Sequence, residues 1–268
     1  MLNFFGSWLG YEITPFAERY RLIKQAGFDG TLVWWDEEAP KQGNYRKQPE
    51  ELRRAGLYLE NMHSDFGHAG PLWKDSIAGQ TTFEYYMMCL TDCGIFEIPT
   101  MVMHVGCGMD PLPPLDKIGL YRFARMIDKA ERLSINIAIE NQGCPEKTLR
   151  AMELLERFDS LRLGMCYDSG HASQHKNLGR GAEMLERFGH RLRALHLHDN
   201  DGSGDQHLPP LTETGIIDWP VLMKKIANTG YTGPTTLELG GGTQGLKPEE
   251  YLALAYERAK KVEVLRYA

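Results

Sequence analysis

The sequence has no apolar run approaching the ~18 residues that would suggest a membrane-spanning helix, so no membrane span is expected. The opening stretch MLNFFGSWLG is apolar but lacks a basic leader and a long apolar core, so it does not read as a secretory signal. There is no C-x-x-C pair among the five cysteines, Cys89, Cys93, Cys107, Cys144 and Cys166, and their number is odd. A reduced, cytoplasmic setting follows from that pattern. There is no block of lysine or arginine and the net charge is −6, so composition gives no support for nucleic acid or an acidic membrane as a partner. Bound divalent ions would reverse that field locally. Linkers, low-complexity segments and a glycine-rich dinucleotide fingerprint after the first strand are also missing. The whole chain, residues 1–268, is therefore read as one domain.

What is present is a regular alternation. Short runs rich in β-branched and aromatic residues occur near 2–6, 30–35, 57–62, 98–104, 135–140, 161–168, 192–198 and 234–239. Segments of helical period follow at 15–26, 48–55, 81–93, 116–133, 146–157, 180–188, 218–228 and 248–265. Thr14 before Pro15, Pro49 before Glu50 and Glu51, and Pro248 before Glu249 and Glu250 mark helix starts. Eight strand–helix units in one rhythm predict an α/β fold, a closed parallel (β/α)8 TIM barrel. A doubly wound open sheet would need fewer strands.

Alternate residues of a strand face opposite sides. Ile135, Ile137 and Ile139 oppose Asn136, Ala138 and Glu140; Leu195 and Leu197 oppose Ala194, His196 and His198. Leu163, Met165 and Tyr167 oppose Gly164, Cys166 and Asp168, while Leu237 and Leu239 oppose Thr236 and Glu238. The bulky faces are expected to meet the outer helices, and the small and polar faces to line the interior. Cys166 then reads as a small core filler, and YYMMCL as a core-facing helical stripe.

The predicted carboxyl ends carry a series of metal-capable side chains. They are His63, His104, Glu140, Asp168 with His171 three residues on, His196 and His198 followed by Asp205 and His207, and Glu238. Active sites of such barrels form at that rim. Buried together, Glu140, Asp168 and Glu238 would repel one another by several kcal/mol, on the order expected for clustered carboxylates, unless something positive joins them. A divalent metal, Mn2+, Mg2+ or Zn2+, meets that need with histidine and carboxylate ligands. Spacing alone leaves His196 and His198 as equal candidates. His175, His190 and His68 lie away from strand ends and are expected to face solvent.

With these residues assembled, the chain resembles the xylose-isomerase-like TIM-barrel superfamily. The resemblance is carried by AIENQG around Glu140, CYDSGH with Asp168 and His171, HLHDN from His196, DQHLPP with Asp205 and His207, LELG around Glu238, and MHSDFGHAGPLWKD after the third strand. It implies a sugar or sugar-phosphate isomerase or epimerase whose single divalent ion is held by Glu140, Asp168, His196 and Glu238. The pattern of histidine followed three residues later by an acidic residue, here Asp199, favours His196 over His198. Glu140 and Glu238 would act as the proton-transfer pair, working through an enediolate, with His171 touching substrate. Trp8, Trp34 and Trp73, with Trp35 and Phe66, fall on or near mouth loops, where aromatic faces suit a sugar ring. Arg180, Lys176 and Arg46 are the cations that a sugar phosphate could meet. Dimers or tetramers are usual in the resembled family, so a homo-oligomer is compatible with it.

The same superfamily includes the endonuclease IV phosphodiesterases, which hold three zinc ions with nine ligands. His63, His104, Glu140, Asp168, His171, His196, Asp205, His207 and Glu238 match those nine in type and order. The intervals between them are shorter than in that family, ENQG departs from its Glu-Asn-Thr-Ala-Gly pattern, and no arginine-rich mouth loop tracks a phosphate backbone. The isomerase or epimerase reading is preferred.

Overall fold

Strand and helix alternate along the chain in the computed structural model, which describes residues 1–6, 15–36, 44–67, 69–107, 111–240 and 245–268. The strands are β1 (Leu2–Gly6), β2 (Gly30–Trp35), β3 (Tyr58–Ser64), β4 (Thr100–Met103), β5 (Asn136–Glu140), β6 (Leu163–Asp168), β7 (Leu192–His196) and β8 (Thr235–Leu239). The helices are α1 (Phe16–Gln25), α2 (Gln48–Arg54), α3 (Ile77–Ile95), α4 (Lys117–Leu133), α5 (Pro145–Arg157), α6 (Ser169–Ser173), α7 (Arg180–Phe188), α8 (Trp219–Asn228) and α9 (Pro248–Arg266). Neighbouring strands pair in parallel in sequence order, and β1 pairs with β8. A parallel bridge from Leu197 to Leu237 joins the remaining edges. Leu197 donates its N–H to Thr236 O at 2.9 Å, and Glu238 N donates to Leu197 O at 3.1 Å. The sheet is thus the (β/α)8 barrel that the alternation predicts.

The helix starts follow local chemistry. Ser76, Asp116 and Asp218 each accept the N–H three residues ahead, from Gly79, Gly119 and Val221. α5 and α9 open on proline, whose missing N–H costs nothing at a first turn. α3 begins before the expected residue 81 because the Ser76 cap sets its start. The proposed Thr14 signal lies outside the described residues; α1 follows Pro15 directly.

Strand parity sorts the core as expected. Ile137, Ile139, Met165, Tyr167, Leu195, Leu197, Leu237 and Leu239 join the large cluster between sheet and helices. Val102, Ala138, Cys166 and Ala194 form a separate cluster from four adjacent strands, the filling of the barrel itself. β3 departs from simple alternation. Two residue steps on β2 (Thr31 to Val33) face three on β3 (Leu59 to Met62), which is a bulge at Glu60 and Asn61. Leu59 and Met62 both stay in the outer core, and His63 still turns inward. Within the barrel, the buried Glu60 carboxylate accepts from Asn3 Nδ2 at 2.7 Å and Thr236 Oγ1 at 2.5 Å. Burial raises its pKa, against the lowering effect of those hydrogen bonds.

Candidate metal centre

Four consecutive strands deliver Glu140, Asp168, His196 and Glu238 to one point at the carboxyl end of the barrel. One donor atom from each lies within 4.8 Å of every other, and all four residues are buried. His196 Nδ1 stands 3.1 Å from Glu140 Oε2 and 2.9 Å from Glu238 Oε2. It nevertheless makes no hydrogen bond, since short distance alone does not meet the angular requirement for one. A buried imidazole nitrogen without a partner, flanked by carboxylate oxygens, fits a divalent cation as the missing member.

Glu140 is shared more widely. His63 Nε2 lies 3.2 Å from its Oε2, and His104 Nε2 and His171 Nδ1 lie 3.3 and 3.1 Å from its Oε1. His63, His104 and Glu140 form a second group with ligand-like spacing. A third lies nearer the mouth: Asp205 Oδ2 is 3.2 Å from both His171 Nε2 and His207 Nε2, and the donor atoms of His198, Asp205 and His207 also converge. All ten rim residues anticipated from the strand ends and the seventh loop are therefore gathered. His196 reaches Glu140 and Glu238, whereas His198 reaches Asp168, so the two histidines of shared parity serve different groups.

Electrostatics follow from the crowding. Burial pushes the Glu140 carboxyl up, but the imidazoles of His196 and His104 outweigh it and hold the group well below the usual carboxylate range. The same contest leaves Glu238 at about 2, His196 being the main lowering influence. Burial opposes charge on His196, and Cys166, Glu238 and Glu140 together overcome it and raise its pKa well above the usual value. Burial pushes the Cys166 thiol up to about 12, so it is neutral at pH 7 and the two carboxylates carry that effect. Burial likewise disfavours charge on His207, yet Asp205 and Glu238 raise it to about 9. Without an ion, protons on the imidazoles balance the carboxylates.

Backbone-directed contacts hold the rim. Asn141 Oδ1 accepts from Asp168 N at 2.9 Å while its Nδ2 donates to Asp168 O at 2.8 Å, tying the ends of β5 and β6. Gln142 Nε2 lies 3.2 Å from His104 Nδ1 and donates to Gly106 O at 2.9 Å. Asp168 caps α6, accepting His171 N at 2.6 Å. Asp199 is buried and accepts from the Trp219 indole at 2.7 Å, which anchors the seventh loop.

A cavity of about 320 Å³ opens above these groups, with Trp34 and Phe66 on one side and Gln142, Lys147, Gln174 and Lys176 among its other lining residues. Trp34 stacks on His63 with ring centroids 4.7 Å apart. Trp73 does not reach the cavity: it is fully buried, donates to Val105 O at 2.7 Å and packs on Phe123, so its expected substrate role is corrected to a core role. The loop after β3 turns inward there, and the 3-10 turn at Gly70–Trp73 carries the ring beneath the rim. Trp35 is buried as well, with its indole on Asp92. Trp8 and His68 lie outside the described residues. Arg46 pairs with Asp92 and Arg180 with Glu183, away from the cavity lining, while Lys176 is part of it. His175 and His190 are exposed, as expected. Sequence reasoning assigned no role to Asn141, Gln142, Lys147 or Gln174. The first two stand in the ENQG stretch beside Glu140, and that adjacency was the available signal.

No helix among the described residues is long and apolar enough to cross a membrane. Across its length the chain is 28% identical over 275 residues to the protein y4fM of Sinorhizobium fredii (strain NBRC 101917 / NGR234), covering 90% of this chain and 86% of that one. Among solved structures it superposes on an IolI protein with a bound zinc atom at a TM-score of 0.79 and 16% identity, over 98% of each chain. It superposes on a D-tagatose 3-epimerase-like protein at 0.75 and 20% identity, over 100% of this chain and 98% of that one. At such identities these likenesses speak to the fold. The family model described as xylose isomerase-like TIM barrel goes further, matching residues 20–262. With that match spanning all but the ends, the chain belongs to the xylose isomerase-like TIM barrel family.

Proposed function

We propose that this protein is a divalent-metal-dependent isomerase or epimerase of a sugar or sugar phosphate. The observation that carries the reading is the buried convergence of Glu140, Asp168, His196 and Glu238 below a cavity with an aromatic side. These four residues would hold the ion. When bound, the ion polarises a substrate carbonyl and acidifies the adjacent C–H.

Glu140 and Glu238 then serve as the proton-transfer pair. Their oxygens approach the ion position from different strands, β5 and β8. One carboxylate removes the proton next to the carbonyl, giving an enediolate. Delivery by the other to the same carbon inverts that centre; delivery to the neighbouring carbon gives isomerisation. Both carboxyls lie below the usual carboxylate range and are ionised at neutral pH, as a proton acceptor must be. Trp34 and Phe66 offer flat apolar faces to the C–H side of a sugar, and Gln142, Gln174 and Lys176 offer polar contacts. Support also comes from the D-tagatose 3-epimerase-like and IolI structures, which share the fold. We assign the whole chain to one domain and, from its five free cysteines, to a reducing cytoplasm. The test is metal analysis of the purified protein together with a ketose, aldose and sugar-phosphate panel followed by NMR. Exchange of a substrate C–H with solvent deuterium is expected; no exchange with any sugar in the presence of Mn2+, Mg2+ or Zn2+ would remove the reading.

A second reading has a specific observation behind it. The groups around His63 and His104, and around Asp205 and His207, assemble as well as the first. Three ions there could activate a water and clamp a phosphodiester. Clean incision of a duplex at a single abasic site would favour this phosphodiesterase over the isomerase.

A further inference from the structure

We propose that His198 is a positioning residue that aims the Asp168 carboxylate at the group it forms with Glu140, His196 and Glu238, and that Gly170 exists to admit the His198 ring. The inference rests on the reading of that group as an ion site.

His198 is fully buried. Its Nε2 lies 3.0 Å from Asp168 Oδ1 and 3.1 Å from Oδ2, so its N–H is shared across the carboxylate. The backbone of His198 is fixed to the start of α6: Ser169 Oγ donates to His198 O at 2.7 Å and accepts from His198 N at 2.9 Å. One ring face stacks on His207, with centroids 4.0 Å apart and planes within 13°. The ring is thus held by a hydrogen bond at one edge, by a parallel ring on one face and by its own backbone. A hydrogen bond from a neighbouring imidazole is one way in which a ligating carboxylate is oriented toward a cation.

Gly170 supplies the remaining contact. A Cβ at this position would stand 1.9 Å from His198 Cε1 and 2.3 Å from Nδ1. Its backbone is not in the left-handed region and it sits within α6, where alanine is preferred on helical propensity alone. Conformation does not call for glycine here; the space taken by the imidazole does.

His198 could instead be a ligand, since its donor atom groups with those of Asp205 and His207. The geometry favours positioning. Nε2 is 3.8 Å from the nearer Asp205 oxygen but engaged with Asp168. Nδ1 is buried against Gly170 and has no partner.

The experiment compares native protein with Gly170→Ala, His198→Ala, His198→Gln and the double variant Gly170→Ala/His198→Ala. Mn2+ affinity is measured by titration calorimetry, the Mn2+ environment by electron paramagnetic resonance, and ion-free stability by thermal unfolding. Gly170→Ala and His198→Ala should each weaken the tightest Mn2+ by about 10- to 100-fold, the usual effect of losing an outer partner of a metal ligand. The double variant should bind no worse than His198→Ala, because the truncated ring leaves room for the new methyl. His198→Gln, which keeps a donor, should recover part of the loss, and it decides the matter if Gly170→Ala fails to fold. Unchanged Mn2+ affinity in the His198 variants overturns the proposal, as do additive losses in the double variant. Loss of a second, weaker ion with the tightest one untouched also overturns it, by making His198 a ligand. Native protein that binds no divalent ion defeats the ion-site reading itself, a result distinct from these.

Discussion

His196 Nδ1 lies 2.9 Å from Glu238 Oε2, yet the two atoms form no hydrogen bond. Two buried polar atoms this close are ordinarily paired, since an unpaired one costs ~1–3 kcal/mol. An unpaired nitrogen between two carboxylates fits the divalent ion proposed above.

Removal of divalent ions with a chelator should lower the unfolding temperature, because an ion bound only by the native state adds stability by mass action. Differential scanning calorimetry with and without added Mn2+ or Zn2+ measures it. One tightly held ion per chain fits the isomerase; two or three tightly held zinc ions would shift the assignment toward hydrolysis. Identical transitions in both conditions would speak against any site.

Glu140→Gln and Glu238→Gln should each abolish turnover, with rate losses of about 10²–10⁴ or more from the lost proton transfer. Glutamine keeps one oxygen, so at least one variant should retain part of its metal. Full activity in either variant would reject its role as acid or base.

Ion binding should tighten as pH rises. His207 carries its proton up to about pH 9, where Asp205 and Glu238 raise it against burial, and His196 is raised as well. An ion must displace such protons from any imidazole it uses. In the ion-free protein the stability that His207 contributes is fully present below the ordinary imidazole pKa of ~6.5 and is lost as pH climbs through about 9. Glu238 behaves oppositely: its contribution is present above the ordinary value and lost as pH falls toward about 2. Chemical denaturation of chelated protein from pH 6 to 10 should show declining stability, while Mn2+ affinity rises over the same interval. A flat profile in both would contradict the charge balance described.

Trp34 and Trp73 should separate cleanly. Trp34→Ala removes a cavity wall and should raise KM with little change in unfolding temperature. Trp73→Ala empties a fully buried site and should cost about 3–5 kcal/mol of stability. Steady-state kinetics and urea unfolding on both variants test the contrast; an elevated KM without destabilisation in Trp73→Ala would restore it to the substrate site.

Much of this architecture was legible in the sequence because periodicity records burial directly. Ile137 and Ile139 against Ala138 and Glu140 could face only one way in a barrel. The strand-end residues Glu140, Asp168, His196, His198 and Glu238 were legible for the same reason: each shares the interior-facing parity of its strand. Trp73 was not, because a loop carries no period and the chain's inward turn at Gly70–Trp73 depends on contacts with Val105 and with Phe123 of α4. The short α6 was missed because the Asp168 cap that starts it doubles as a rim residue. Glu60 escaped notice because only the register with β2 reveals that it lies inside the barrel.

That register has a wider consequence. His63 stands four positions after Leu59, an even interval that in a uniform strand would put both on the same side. The extra residue at Glu60 and Asn61 breaks this phase and swings the imidazole onto Glu140. Deleting one residue there would remove the bulge and leave an odd interval, so simple alternation would still turn His63 inward, with the register to β2 and every other rim side chain untouched. The bulge therefore lets this strand carry one residue more than its neighbour, in a stretch that bears no ligand itself, without changing how many bases the rim presents.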